Sequence, residues 1–220
     1  PRAVEEGHAV PFISGLPADA SYGVIYNAGG FVMGADFGSG QAPALEATAT
    51  TDGKGLEGLP RGTAVVHFIQ SGDDYYLVIG GKYVCATEDR KLTLSDTAVT
   101  GAKWTFVADQ ADLAGYWNIK NAEVQSGGSD IYLEQYQGRQ FSPYYYKSST
   151  PDLFQMRIAA TDADEDGRVG DVLDPGSVPE DGKTYVVYNH AGKSVLGQPK
   201  WMGDEMRGPL ASPAPLNARP

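Results

Sequence analysis

The chain has 220 residues, enough for one domain of ordinary size with an extension, and enough to bury a core without staples. Hydrophobic residues at 41% exclude a disordered chain, while 28 glycines, 14 prolines and 10% aromatics point to a turn-rich, all-β protein. The net charge is −11, and lysine and arginine are scattered rather than gathered in a stripe, which excludes nucleic acid and an anionic membrane surface as partners.

Residues 1–15 read as a linker or the tail of a preceding domain. The chain opens on Pro1-Arg2-Ala3-Val4-Glu5-Glu6 without a signal peptide, as a cut inside a longer protein would. The stretch from Tyr22 to Gly34 then has the signature of a β-hairpin. Its apolar residues run into Tyr26-Asn27, followed by Ala28-Gly29-Gly30 and a second apolar run, with Asn and Gly supplying positions that tolerate positive φ. The same pattern returns at Tyr185–Gly197, so the chain holds a second, truncated copy of its first module.

Between residues 16 and 160 three loosely similar units follow one another. The first runs from Tyr22 to Val65-Val66-His67-Phe68-Ile69. The second contains Tyr75–Ile79, a Gly80-Gly81 turn, Tyr83-Val84-Cys85, Leu92-Thr93-Leu94 and Trp104–Val107. The third contains Tyr116–Ile119, Ile131–Glu134, Phe141–Tyr145 and Phe154–Ile158. The strands are short and alternating, turns separate them, and glycine or proline interrupts every helical candidate. Three units of about four strands predict an all-β, β-trefoil-like barrel closed by hairpins, which leaves no free edge; a β-sandwich is the alternative. Trp104, Phe106, Ile119, Leu133 and Phe154 recur at equivalent places and are expected in the core. Cys85, the single cysteine, reads as a buried strand thiol. No apolar run approaches the roughly 18 residues of a membrane span.

Residues 161–177 form an acidic linker. Asp162, Asp164 and Asp166 alternate, and Gly167 permits a sharp turn. The carbonyl of Arg168 falls at the seventh position of a calcium loop, and apolar Val169 follows. The twelfth position is Leu173 instead of Glu, with Asp171 and Asp174 out of phase by one. The expectation is a structural Ca²⁺ loop of non-standard closure, weighed against a solvated acidic linker. Residues 178–220 are expected to hold the partial second module, with little strand character beyond its hairpin.

Four signatures together resemble one family. They are the Tyr-x-Ile/Val-Tyr-Asn hairpin; Trp104-Thr105-Phe106-Val107 followed by Gly115–Ile119; Tyr132–Tyr136 leading to Phe141-Ser142-Pro143-Tyr144; and the closing Phe154-Gln155-Met156 strand. They resemble the non-catalytic, β-trefoil-like repeat of large secreted or surface bacterial proteins, often found C-terminal to a 5'-nucleotidase or related metallophosphoesterase domain. The resemblance covers roughly residues 16–160 and the copy after 178. It implies an accessory module, extracellular or in the cell envelope, whose partners are a glycan or neighbouring domains of the same polypeptide. Ser142-Pro143 departs from the family pattern and places that strand at an edge or bulge.

Catalytic constellations are missing. Gly170-Asp171-Val172-Leu173-Asp174 and Asn189-His190 imitate fragments of a phosphoesterase site, yet no Asp-x-His element accompanies them, so a hydrolase would need its catalytic domain outside this sequence. His8, His67 and His190 are isolated, which argues against zinc. Tyr132, Tyr136, Tyr144, Tyr145 and Tyr146, with Phe141 among them, are the candidate stacking surface for a sugar, although the Gln-x-Trp motif of ricin-type trefoils is absent. A trefoil protease inhibitor is the further alternative, and residues 35–62 are its only candidate for a long exposed reactive loop.

Overall fold

The computed structural model describes residues 9–162 and 167–169, together with the backbone of five short strands between 188 and 211. The chain divides into two units, Val4–Asp171 and a second that contains Val172–Pro220.

The first unit is built from four-stranded repeats, as the sequence spacing predicts. The first repeat consists of β2 (Ser21–Asn27), β3 (Phe31–Met33), β4 (Ala42–Glu46) and β6 (Val66–Ser71). Two short strands, β1 (Val10–Pro11) and β5 (Gly55–Leu56), pair with each other beside it. The second repeat is β7 (Asp74–Ile79), β8 (Lys82–Ala86), β9 (Leu92–Ser95) and β10 (Lys103–Ala108). The third is β11 (Trp117–Ser126), β12 (Ser129–Tyr136), β13 (Gln140–Tyr144) and β14 (Met156–Thr161), with one 3₁₀ turn at Pro151–Phe154.

The outer strands of each repeat form a ring. β2 pairs with β6, β6 with β7, β7 with β10, β10 with β11, β11 with β14, and β14 returns to β2. Six strands therefore close a barrel, and the inner strands of each repeat fold over it as hairpins β3–β4, β8–β9 and β12–β13. That topology is a β-trefoil and excludes the sandwich, which would leave two open sheets. Closure satisfies the backbone groups that an edge strand would leave unpaired.

Alternation along the ring strands turns Ile25, Phe68, Leu77, Trp104, Ile119 and Ile158 into one core. Trp104, Ile119 and Phe154 are wholly buried, and Phe106 and Leu133 nearly so, as their recurrence predicts. Each such side chain contributes on the order of 1.5–3 kcal/mol in transfer energy. The Trp104 indole also donates to the Val84 carbonyl at 2.8 Å, so its one polar atom is satisfied inside the core. A second cluster lies outside the barrel of the first repeat. There Val24, Tyr26, Val32, Leu56 and Ala159 pack under Phe12 and Leu59. The segment expected to be a linker is thus tied down in part: Phe12 bridges Ala159, and the Ile13 amide donates to the Ile158 carbonyl.

Local expectations hold at Pro143 and Cys85 and take a different form in the first hairpin. The positive φ of the first hairpin falls on Gly30, at 91°, and Asn27 serves through its side chain instead. Its amide donates to the carbonyls of Asp152 and Gln155 at 2.9 and 3.1 Å, and its oxygen accepts the Gly29 amide at 2.8 Å. β13 has β4 on its far side at Gln140 and Phe141 alone, so Pro143 sits where the missing N–H costs no ladder bond. Cys85 is buried, and burial pushes its thiol pKa up. Residues 167–169, at the middle of the segment read as a linker, run beside residues 62–65 and bridge Ala64 at Arg168. Gly167 and Val169 accept from Val65 and Gly62, Val169 donates to Thr63, and its side chain is buried.

In the second unit, Tyr188–Asn189 pairs with Ser194–Leu196, so the repeated hairpin forms. Tyr188 faces Val195 as Tyr26 faces Val32, while Asn189 faces Ser194 as Asn27 faces Phe31. Four residues separate Asn189 from Ser194, where three separate Asn27 from Phe31. Strand character continues further than expected, through a hairpin of Lys200–Met202 with Glu205–Arg207 and a strand at Leu210–Ala211. The Gly203-Asp204 pair between Met202 and Glu205 is a two-residue hairpin signal that carries this difference.

Candidate functional site

The three repeats can be superposed by register, and the comparison isolates the third. Val84 faces Leu94 in the second hairpin as Leu133 faces Pro143 in the third and Met33 faces Ala44 in the first. These pairs point inward. On the outward face, the next position holds Gly34 opposite Pro43, Cys85 opposite Thr93, and Glu134 opposite Ser142. The following outward position holds Val32 with Leu45, Tyr83 with Ser95, and Tyr132 with Tyr144. Of the three repeats, the third alone has a carboxylate two strand residues from a pair of facing tyrosines.

The segment after β13 folds back over this face. Tyr146 brings its ring 5.9 Å from Tyr132 and 5.2 Å from Phe154, which anchors it to the core. Tyr144 and Tyr145 meet edge to face at 5.3 Å, and the Tyr145 hydroxyl shares a hydrogen bond with Ser126 at 2.9 Å. Tyr132, Tyr144, Tyr145 and Tyr146 are half-buried; Tyr136, at the hairpin tip, is 39% exposed. Tyr136 lies four strand residues from Tyr132, roughly 13 Å away, and so stands at the margin. The five tyrosines named from the sequence therefore fall into two touching pairs, Tyr132 with Tyr146 and Tyr144 with Tyr145, placed side by side by the Tyr132–Tyr144 register, and one outlier.

Three groups beside them carried no sequence signal. Glu134 is only 3% exposed, and its Oε1 has no hydrogen-bond partner. Burial pushes its pKa up, against a smaller opposing pull from Lys147. The Lys147 ammonium lies 4.6 Å from the centre of the Tyr144 ring. Arg90, from the β8–β9 turn of the second repeat, places its guanidinium carbon 4.9 Å from the Tyr144 centre and 5.0 Å from that of Tyr145. Arg90 is remote in sequence from the tyrosines, so only closure of the barrel brings it to them. The tyrosine edges and the two cations together offer hydrogen-bond donors and acceptors around half-exposed rings, the chemistry that holds a polar, ring-shaped ligand.

The neighbouring buried polar groups are structural. Asp109 accepts from the side chains of Asn118 at 3.0 Å and Gln155 at 2.8 Å, and from the Leu113 amide at 2.9 Å. Asn121 props open the bulge of β11, accepting from Glu123 and Val124 while donating to the Gly101 carbonyl. Residues 35–62 hold β4 and β5 and bury Leu56, and so do not form the single long open loop an inhibitor would present.

Of the calcium-loop candidates, Asp164, Asp166, Asp171 and Asp174 lie outside the described residues, as does Asn189-His190 apart from the Asn189 backbone. Asp162 is exposed directly after β14. The Arg168 guanidinium is bonded to Asp36, and its backbone bridges Ala64. Among the described residues no helix is long and apolar enough to cross a membrane.

No family model matches the chain, and no curated protein matches it. Among solved structures it is similar to one described as SeviL bound to asialo-GM1 saccharide, at 12% identity over 64% of this chain and 98% of that one, with a TM-score of 0.46. A structure described as the BEL beta-trefoil shares 14% identity over 69% of this chain and all of that one, with a TM-score of 0.47. The beta-trefoil lectin of the Vibrio vulnificus hemolysin/cytolysin, with N-acetyl-D-lactosamine bound, shares 9% over 66% and 97%, with a TM-score of 0.45.

Proposed function

We propose that the chain is a non-catalytic, glycan-binding module of a larger secreted or cell-surface protein, and that the outward face of the third hairpin is its binding face. The observation that carries the reading is the break in the three-fold pattern. Positions filled by Val32 and Leu45 in one repeat, and by Tyr83 and Ser95 in another, become Tyr132 and Tyr144, two facing tyrosines next to Glu134 on the same strand face. A sugar ring presents apolar C–H faces and a rim of hydroxyls; half-exposed tyrosines complement the first, and their hydroxyls complement the second. The resemblance of the strand motifs to a bacterial accessory repeat supports the multidomain setting.

A glycan array followed by calorimetry with the best binder tests this. Tyr132→Ala is expected to weaken binding by roughly tenfold, the equivalent of about 1.4 kcal/mol, while Tyr83→Ala in the second repeat leaves it unchanged. Binding to no glycan by a protein that melts cooperatively, or equal binding by the Tyr132 variant, would overturn the reading.

A further inference from the structure

Two cations stand at the third hairpin, and one of them, Lys147, also exerts a pull on the buried carboxyl of Glu134. Arg90 and Lys147 stack on Tyr144 without any side-chain hydrogen bond or ion pair to an acid among the described residues. Glu88 and Asp89 are exposed in the same turn as Arg90, yet neither pairs with it. The turn itself is held firmly: the Arg90 amide donates to Thr87 at 2.9 Å, and the Thr87 amide donates to Lys91 at 3.0 Å. Arg90 adopts φ of 60°, a left-handed conformation that a side chain rarely takes.

A guanidinium lying against a ring gives the ring its face and keeps its N–H edge for another partner. That edge carries parallel donors matched to two oxygens of one anionic group, and the ring fixes its orientation in advance. Lys147 supplies a second, point-like positive charge on the same tyrosine. The chain as a whole is at −11, so its overall field repels an anion, and only a short-range receptor of this kind would hold one.

We infer that Arg90 and Lys147 read an acidic substituent, carboxylate or sulfate, on the saccharide that the third hairpin binds. The inference rests on the glycan-binding reading and names its ligand class. The acidic group docks on the Arg90 edge beside Tyr144, while the sugar ring to which it is attached lies over Tyr132 and Tyr146. The site spans two repeats, which explains why the sequence of either alone does not reveal it.

Calorimetry with matched oligosaccharides tests it: a uronic-acid oligomer against its carboxyl-reduced form, and a sulfated oligomer against its desulfated form. At least one acidic member is expected to bind ten or more times tighter than its neutral partner, and the pair that shows the preference identifies the group. Arg90→Gln and Lys147→Gln should each erase most of that preference, while Lys54→Gln, an exposed cation of the first repeat, should leave it intact. Melting curves check that each variant is folded. Equal binding of acidic and neutral members overturns this inference and leaves the glycan reading standing. Preference that survives both substitutions overturns it as well. Binding of none of these oligosaccharides overturns this inference, while binding of no glycan on the array removes both.

Discussion

Glu134 is the residue with most to lose from its surroundings. It has left water without gaining a partner at Oε1, and the cost of that desolvation falls on the ionised form alone. Its folded pKa is raised above the ordinary value of 4.5, with burial as the leading cause. Below that ordinary value the group is protonated folded and unfolded alike and costs nothing. As the pH climbs through the raised value, the folded state must surrender a proton it holds more tightly, and stability falls and stays lower. Glu134→Gln is therefore expected to melt above wild type at pH 7, with the difference closing near pH 4. The comparison of the two proteins is the readout, because Asp52 and Asp130 act in the opposite sense. Hydrogen bonds, from Thr50 in one case and Gln125 in the other, lower their pKa values, and their contribution is lost as pH falls. A Glu134→Gln protein that melts below wild type at neutral pH would show that the carboxylate has a favourable partner after all.

At the scale of elements, the Tyr-Asn hairpin is a joint as much as a turn. Asn27 is fully buried at the end of β2, and its amide holds the 3₁₀ turn and the start of β14 through Asp152 and Gln155. The first strand of the barrel is thereby fastened to the last, next to the β2–β14 ladder that closes the ring. Asn27→Ala would leave the part-buried Asp152 carbonyl and Gly29 amide without this partner, while the Gln155 carbonyl keeps the Ala28 amide, and is expected to cost about 1–3 kcal/mol in urea unfolding with an unchanged m-value. A loss under about 0.5 kcal/mol would show that water replaces the amide. Gly101 is a comparable fixed point: its φ is 96°, and a Cβ there would strike the Ala86 carbonyl.

At the scale of the molecule, backbone bonding within the first unit extends beyond the closing aromatic strand. Gly167–Val169 pairs with residues 62–65, and Val169 is buried against them. A chain ending at residue 171 is expected to melt in one cooperative transition close to that of the same unit in the full chain. A chain ending at residue 160 should melt earlier, because the amides of Gly62 and Val65 lose their acceptors and Val169 its packing. Identical melting of the two truncated chains would show that the 167–169 segment contributes nothing.

Much of this was legible in the sequence because it depends on local periodicity. Alternation of Ile25, Leu77, Trp104, Ile119 and their equivalents marks strands with one buried face, and glycines and Asn mark the turns between them; three such sets allow few architectures. The repeated Tyr-Asn hairpin was legible for the same reason, since a hairpin register is decided by neighbours in sequence. The meeting of Arg90 with Tyr144, the burial of Glu134 and the docking of Val169 were decided by tertiary structure alone. Each is set by which strands become neighbours when six of them close a ring, and an alternating pattern records that a residue faces outward without recording what will cover it.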